Sequence, residues 1–304
     1  MNNYNSELNK RFLLQEEYLG NNKVVNKVEP LVSVTVITYQ QADYIADCIN
    51  GILMQRTTFP IEIIIGEDGS SDGTTEICKD FAEKNRDKIR LFIRDRSLSQ
   101  YKTSEGKVVR FNGVWNRMSA RGKYIAVCEG DDYWIDPLKL QKQVDYLESN
   151  PNCSLCFHDA ITIDCRTNDE VKKFNIPNKD KITTSDLFLR GWFIPSASMV
   201  VRRKCLPSSD WYDKCFIAGD VYMHMSASSQ GYLYCVEGKM SVYRLYSTNS
   251  CTISTNGVRS VVGYAKYLTK INRKKFSNKY SHLVLLRWCR TLVSIIRYKL
   301  FRFF

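Results

Sequence analysis

Residues 126–137 read A-V-C-E-G-D-D-Y-W-I-D-P, and the kind of sheet this chain builds depends on how that stretch ends. Its first residues have the character of a buried strand that stops at adjacent carboxylates, Asp131 and Asp132. A glycine before the pair lets the backbone turn sharply, and two aromatics and a helix start follow. A hard divalent cation such as Mg²⁺ or Mn²⁺ takes one or two carboxylates and leaves its other positions to substrate phosphates and water. A carboxylate pair at a strand mouth therefore points to a nucleotide-diphosphate site. Gly-Asp-Asp is also ordinary turn chemistry, and the choice between the two rests on the segments upstream.

Upstream, Leu31–Ile37 (L-V-S-V-T-V-I) is rich in β-branched residues and predicts a strand. Ala42–Gln55 carries apolar residues at helical spacing, and Ile61–Ile65 is a continuous apolar run of the kind found in parallel sheets. The turn Glu67–Gly73 (E-D-G-S-S-D-G), a helix over 74–85, a strand over 89–93, a helix over 112–119 and a strand over 124–128 follow. Asp136-Pro137 then opens a helix running to about Ser149. Alternating strands and helices predict a doubly wound α/β sheet, mostly parallel, with helices on its faces. Ligands of such sheets bind outside the carboxyl ends of the strands. Three strand ends here are polar: Thr38-Tyr39, Glu67-Asp68-Gly69 and Asp131-Asp132. Asp68 is placed to accept from a base imide N–H or a ribose hydroxyl, and Tyr39 to stack on the base. After Asp159 the pattern loosens, with a helix expected over 185–190, a strand over 198–201, a helix over 221–229 and two strands over 232–236 and 239–245. Residues 1–30 read as a polar appendage with a helix over Ser6–Leu19.

The 304 residues carry 44% apolar and 25% charged side chains, an ordinary globular balance. No apolar run is long enough for a transmembrane helix, and the first residues, M-N-N-Y-N-S-E-L-N-K, lack the apolar core of a secretory signal. The expectation is a cytoplasmic protein, and the eleven scattered cysteines fit free thiols in a reducing compartment. Cys153-Ser-Leu-Cys156 lies in an apolar run without a second pair to complete a zinc site. The net charge of +12 is concentrated beyond Glu237, the last acidic residue.

The segments V-S-V-T-V-I-T-Y (32–39), E-D-G-S-S-D-G-T (67–74) and G-K-Y-I-A-V-C-E-G-D-D-Y-W (122–134), in that order and spacing, resemble glycosyltransferase family 2. The resemblance is strong over 31–163 and looser over 195–250. It implies the GT-A fold, a nucleotide-diphosphate sugar donor that is most often UDP-linked, a divalent cation (Mn²⁺ or Mg²⁺), and transfer with inversion. Carried over motif by motif, Thr38 and Tyr39 lie against the nucleoside, Asp68 binds the base, Asp131 touches the ribose or sugar, and Asp132 holds the metal. The family's usual Pro-Thr-Tyr is Ile37-Thr38-Tyr39 here, a change of backbone shape and not of chemistry. Asn116 and Arg117 fall where the family often has residues facing the donor, although a solvated or salt-bridged Arg117 is the simpler reading. The general base an inverting transfer needs falls, by the same resemblance, on Asp220 in I-A-G-D-V-Y-M-H, with Gly219 in place of the usual first acid. Asp220 also suits a helix N-cap. Arg244, in V-Y-R-L-Y-S-T-N-S, resembles the family's Tyr-Arg segment near the diphosphate. His158 or His224 could ligate the metal or replace the base, but His158, alternating with apolar residues in Cys156-Phe-His-Asp159, reads as a core or rim histidine.

The implied layout is a catalytic domain over 31–250, divided at 163/164 into nucleotide-sugar and acceptor halves, and a basic amphipathic tail over 251–304. In the tail Arg287, Arg290, Ser294 and Arg297 recur at three and four residues among leucines and aromatics. That pattern suits an interfacial helix on an anionic membrane, and equally a helix that closes the core or a dimer. The chemistry expected is transfer to a glycan or lipid-linked glycan acceptor of a surface polysaccharide, at the inner face of the cell membrane and with no nucleic-acid partner. A nucleotidyltransferase would also use paired carboxylates but needs a Gly-rich basic loop after the first strand, where this chain has I-T-Y-Q-Q-A (37–42). A non-catalytic nucleotide-sugar-binding membrane adaptor is the third possibility, against which Asp132 and Asp220 both stand.

Overall fold

The computed structural model describes residues 3–20, 23, 25–102, 108–172, 174–208, 219–248 and 257–300. In chain order the elements are α1 (Asn3–Phe12), β1 (Glu17–Tyr18), β2 (Val32–Thr38), α2 (Ile45–Leu53), β3 (Ile61–Glu67), α3 (Thr74–Lys84) and β4 (Ile89–Ile93). A small hairpin region follows, made of α4 (Arg96–Ser99), β5 (Gln100–Lys102) and β6 (Val108–Arg110). Then come α5 (Asn112–Ser119), β7 (Tyr124–Glu129), β8 (Tyr133–Trp134), α6 (Lys139–Ser149), β9 (Cys153–Asp164), β10 (Asp169–Glu170), α7 (Thr184–Arg190) and β11 (Val200–Arg202). The chain continues with α8 (Gly219–Ser228), β12 (Tyr232–Leu245), α9 (Gly257–Lys275) and α10 (Ser281–Leu300).

The central sheet runs β1-β4-β3-β2-β7-β11-β9-β12-β8, with β10 paired to β9. Its six long strands (β4, β3, β2, β7, β9, β12) point one way, and the opposed strands β1, β8, β10 and β11 are only two or three residues long. This is the mostly parallel, helix-flanked sheet that the alternating pattern predicts. Period-2 alternation sorts the side chains. Val32, Val34 and Val36 of β2, Ile61, Ile63 and Ile65 of β3, and Tyr124, Ala126 and Cys128 of β7 pack with α2, α3 and α6. The opposite face carries Ile64, Ile125, Leu155 and Phe157 against α7, α8, α9 and α10.

Several boundaries differ from the sequence expectation. The first helix ends at Phe12, and Glu17–Tyr18 pairs antiparallel with β4. Leu8 is buried with Phe111 and Trp115, and Glu17 forms an ion pair with Arg90, so residues 3–18 pack onto the sheet's edge instead of standing apart. The strands expected over 232–236 and 239–245 are one strand, β12, irregular around Gly238, whose φ of 110° suits glycine. Asp136 accepts a hydrogen bond from the Leu138 amide at 2.8 Å, but α6 itself starts at Lys139. Cys153 and Cys156 are buried free thiols within β9.

The tail is helical as expected, although residues 251–256 and 301–304 lie outside the described residues. Leu283 and Val284 of α10 join Tyr267, Leu268 and Ile271 of α9 in the core. Two of the arginines contact the protein: Arg290 donates to Leu189 O at 2.6 Å, and the Arg287 guanidinium lies 5.0 Å from the centroid of the Tyr264 ring. Leu285, Leu286, Leu292, Val293 and Ile296 are the residues left outside.

Candidate active site

Three parallel strands end side by side. Thr38 of β2 pairs with Glu67 of β3, and Ile37 pairs with Glu129 of β7, so the loops after all three open on one edge. The sheet grows from β2 through β3 and β4 in one direction and through β7 in the other, and that reversal is where doubly wound sheets hold ligands. The buried amide of Asn116 keeps these strands aligned with α5: its Nδ2 donates to Val36 O at 2.7 Å and to Ile64 O at 3.3 Å, and its Oδ1 accepts from Arg94 at 2.7 Å. It faces the sheet and not the edge where a ligand would lie.

The β7 turn brings the carboxylate pair to that edge. Gly130 donates to Ile37 O at 3.0 Å, and a Cβ there would meet Gln41 Oε1 at 2.5 Å and the Thr38 side chain at 2.9 Å, so glycine is required. Asp132 is buried. Its Oδ1 accepts from the Arg244 amide at 2.9 Å, while Oδ2 has no hydrogen-bond partner among the described residues. Burial first, then the charges of Asp131 and Glu129, hold its carboxyl well above the usual carboxylate range. Asp131 Oδ2 accepts from Ser247 Oγ at 2.7 Å, and burial raises its pKa too. Arg244 closes this corner: Nη1 donates to Asp131 O at 3.1 Å, and Nη2 meets Asp47 Oδ2 at 2.6 Å.

An orphaned, buried carboxylate oxygen beside a second carboxylate is a place that a cation would relieve. Among the described residues no cluster of three or more His, Cys, Asp or Glu surrounds it. The pair thus suits a hard ion that keeps most of its shell for phosphate oxygens and water, and does not suit zinc held by a full protein cage.

Two strands over, beyond β2, Asp68 is buried at the tip of β3. Ser99 Oγ donates to its Oδ1, and Arg96 Nη1 donates to its Oδ2 at 3.2 Å. Burial outweighs both partners and raises its pKa. The same Arg96 guanidinium lies 3.3 Å from the centroid of the Tyr39 ring. Asp68, Tyr39 and Arg96 therefore form one unit, a carboxylate, a ring and a cation within contact. The rest of the 67–73 loop holds itself and the segment after β2: Glu67 accepts from Ser70 N at 2.7 Å and Thr75 Oγ1 at 2.9 Å, Asp72 accepts from Thr74 N at 3.1 Å and Ala42 N at 3.0 Å, and Ser70 Oγ accepts from Gln40 N at 2.9 Å. Arg117 lies on the half-buried face of α5, where its Nη1 and Ile37 Cγ2 both approach Gly113, close to the end of β2.

Asp220 opens α8; Ile217 and Ala218 of its motif lie outside the described residues. Trp192 Nε1 donates to Asp220 Oδ2 at 2.7 Å, and the Val221 amide donates to Oδ1 at 2.8 Å, which fixes the carboxylate's direction. Trp192 packs edge-on against Tyr243 (centroids 6.2 Å apart), and both rings pack against Phe174. Tyr243 lies next to Arg244 in β12. Its phenol pKa is raised first by burial and then by the charges of Asp132, Glu129, Asp131 and Asp220, so carboxylates from the β7 turn and from α8 act on one ring. His158 and His224 are core residues; burial holds both pKa values down, His224 to about 4.

The structure thus brings Thr38, Asp68, Asp131, Asp132 and Arg244 to one edge, with Tyr39 under Arg96, while Asp220 is held by Trp192, whose ring packs against Tyr243, the neighbour of Arg244. Sequence reasoning did not single out Arg96, Ser99, Trp192, Tyr243 or Ser247. Arg96 had a usable signal, because it follows the carboxyl end of β4 just as the named residues follow β2, β3 and β7.

The sequence model of Glycosyl transferase family 2 matches residues 33–206, more than half of the chain. The chain belongs to glycosyltransferase family 2. An uncharacterized protein of Mycobacterium tuberculosis is 35% identical over 218 residues, covering 71% of this chain and 59% of that protein. This family member thus spans under two thirds of the relative's length. In fold it is similar to S. aureus TarS residues 1–349 in complex with UDP-GlcNAc, with a TM-score of 0.51, 16% identity, and 88% of this chain and 80% of that chain covered. It is also similar to a mannosyltransferase from Pyrobaculum calidifontis in complex with GDP-Man and Mn²⁺, with a TM-score of 0.53, 17% identity, and 97% and 81% of the two chains covered. The sheet described above is accordingly a GT-A sheet, with α9 and α10 as its C-terminal helical extension.

Proposed function

We propose that this chain transfers a sugar from a nucleotide-diphosphate sugar, UDP-linked, to a glycan hydroxyl with inversion of the anomeric centre. The observation that carries the reading is the corner at the strand ends, where buried Asp132 keeps Oδ2 without a partner among the described residues, beside Asp131 and Arg244. Asp68 offers an acceptor and Arg96 a donor beside the Tyr39 ring. That combination complements the imide N–H and carbonyl of uracil and gives the ring a stacking partner. Thr38 and Arg117 flank the nucleoside end, and Asp131 serves the ribose or sugar.

A divalent cation, Mn²⁺ or Mg²⁺, would be held by Asp132, whose Oδ2 supplies the open ligand position. When bound it supplies positive charge to the diphosphate. Arg244 adds a guanidinium at the same corner, where the departing nucleotide develops charge. Asp220 acts as general base. The acceptor oxygen bonds to C1 of the sugar, the C1–O bond to the diphosphate breaks with its electron pair leaving on the nucleotide, and the acceptor proton passes to Asp220. Trp192 holds the carboxylate with one oxygen donated to by the indole and the other by the Val221 amide. Phe174, Trp192 and Tyr243 form an aromatic wall beside the base.

The acceptor is read as a lipid-linked glycan of a surface polysaccharide, met at the cytoplasmic face of the cell membrane, with residues 273–304 lying on the anionic leaflet. The apolar outward face of α10 supports that reading. Thermal unfolding with UDP-, GDP- and dTDP-sugars, with and without Mn²⁺, tests the donor half. A Mn²⁺-dependent shift with UDP-sugars is expected, and no shift with any donor would overturn it.

A further inference from the structure

The junction of α9 and α10 holds a cavity of about 350 Å³, lined by Lys266, Lys270, Asn272, Arg273, Ser281 and Val284 among others. That volume lies within the range of about 300–1,000 Å³ usual for small-ligand sites. Three cationic side chains line it, and the chain contains no Asp or Glu after Glu237. Its floor is a fixed turn: Asn272 Oδ1 accepts from the Tyr280 amide at 2.9 Å, and Asn272 Nδ2 donates to Ser281 Oγ at 3.2 Å. The cavity lies outside the donor site described above.

The outward face of α10 begins at the same place. Leu285, Leu286, Cys289, Leu292, Val293 and Ile296 are all exposed, Leu285 at 65% and Ile296 at 56%. Their spacing of one, three and four residues puts them on a single stripe, about 16 Å long at 1.5 Å per residue. Leu283, Val284 and Thr291 face the other way, into the protein. Ser281 stands one turn before Leu285, so the basic cavity meets the N-terminal end of the apolar stripe.

A charged pocket at the end of an exposed apolar stripe matches a phospholipid, in which a phosphate sits above acyl chains. We infer that this cavity binds the phosphate of an anionic phospholipid headgroup, with Lys266, Lys270 and Arg273 as its cationic lining, while the α10 stripe enters the bilayer interface. The inference rests on the membrane reading proposed above and adds to it a defined site.

Sedimentation of the full chain with vesicles of phosphatidylcholine alone, or of equimolar phosphatidylcholine and phosphatidylglycerol, tests it. Binding is expected only with phosphatidylglycerol. Two basic residues at an anionic leaflet are worth about thirtyfold in partitioning, so the double variant Lys266→Glu, Arg273→Glu should lose at least that much. Leu286→Glu with Val293→Glu should abolish binding, and both variants should unfold at the parent's temperature. If the parent binds no vesicle, the membrane reading fails and takes this site with it. If the parent binds but the charge-reversal variant binds equally well, the site alone is wrong. Inorganic phosphate gives the remaining arm: saturable stabilisation by phosphate, lost in the charge-reversal variant, in a protein that ignores phosphatidylglycerol vesicles would assign the cavity to a soluble anion and overturn the lipid.

Discussion

Replacing Asp132 by Asn should make the ligand-free protein more stable and the loaded protein less so. Asp132 is 1% exposed, one of its oxygens has no partner among the described residues, and burial with two neighbouring carboxylates raises its pKa. A group whose folded pKa lies above its unfolded value contributes stability that is present below the unfolded pKa and is lost as pH rises through the folded one. Above the unfolded carboxylate range the native state therefore bears a cost at this buried carboxyl, as a charge without a partner or as a proton taken up. An unsatisfied buried group costs about 1–3 kcal/mol, and the neutral amide removes the charged part of it. A gain of about 1 kcal/mol corresponds to a rise of about 2–4 °C in Tm for a chain of this size. Donor and Mn²⁺ at a hundred times Kd should stabilise the parent by about 2.7 kcal/mol, and Asp132→Asn should forfeit that gain. Differential scanning calorimetry at neutral pH, with and without UDP-sugar and Mn²⁺, reads both effects. A variant that is less stable without ligand, or that responds to Mn²⁺ and donor as the parent does, would refute the reasoning.

Three further outcomes are expected. Asp220→Asn should lower kcat by about 10²–10⁴-fold while donor affinity stays near the parent's; a matching loss of donor affinity, read by calorimetric titration, would count against a base. Asn116→Ala should destabilise by about 3 kcal/mol in urea unfolding, because it strips buried donors from the Val36 and Ile64 carbonyls and an acceptor from Arg94. His224, with its pKa held to about 4 by burial, binds a proton in the unfolded chain before it does so in the native one. Stability should therefore fall as pH drops from about 6.5 to about 4, by up to about 3 kcal/mol from this group. Unfolding of His224→Phe over that interval should show a correspondingly flatter dependence.

The nucleotide-sugar half was legible in the sequence because each of its signals is local. β2, β3 and β7 are short β-branched or apolar runs, and the carboxylates that matter stand within a few residues of their ends. Once the strands are recognised as parallel neighbours, Thr38, Asp68 and Asp132 must share an edge. The partners of those residues were hidden by distance. Arg244 reaches Asp132 through its backbone amide from β12, 112 residues away along the chain, and no side-chain pattern advertises a main-chain donor. Trp192 follows α7, and only the packing of Phe174, Trp192 and Tyr243 brings its indole to Asp220.

In the tail, periodicity identified the helix but not its orientation. Both faces of α10 are apolar enough to be buried, so the spacing of the arginines does not say which face meets the protein. In the structure Arg290 meets a helix-terminal carbonyl and Arg287 lies over a tyrosine ring, while leucines are left outside. At the other end, α1 is too polar to announce burial, yet one leucine docked on Phe111 and Trp115 and a two-residue strand on β4 draw residues 3–18 into the body.

The account stands on Asp68, Asp132 and Asp220 serving one bound donor, and a structure of the protein with Mn²⁺ and a non-hydrolysable UDP-sugar tests this most directly. The base should lie between Tyr39 and Asp68, the ion should rest on Asp132 Oδ2 and the diphosphate, and C1 of the sugar should face Asp220 on the side away from the phosphate. A nucleotide bound elsewhere, or a sugar whose reacting face is turned from Asp220, would contradict it.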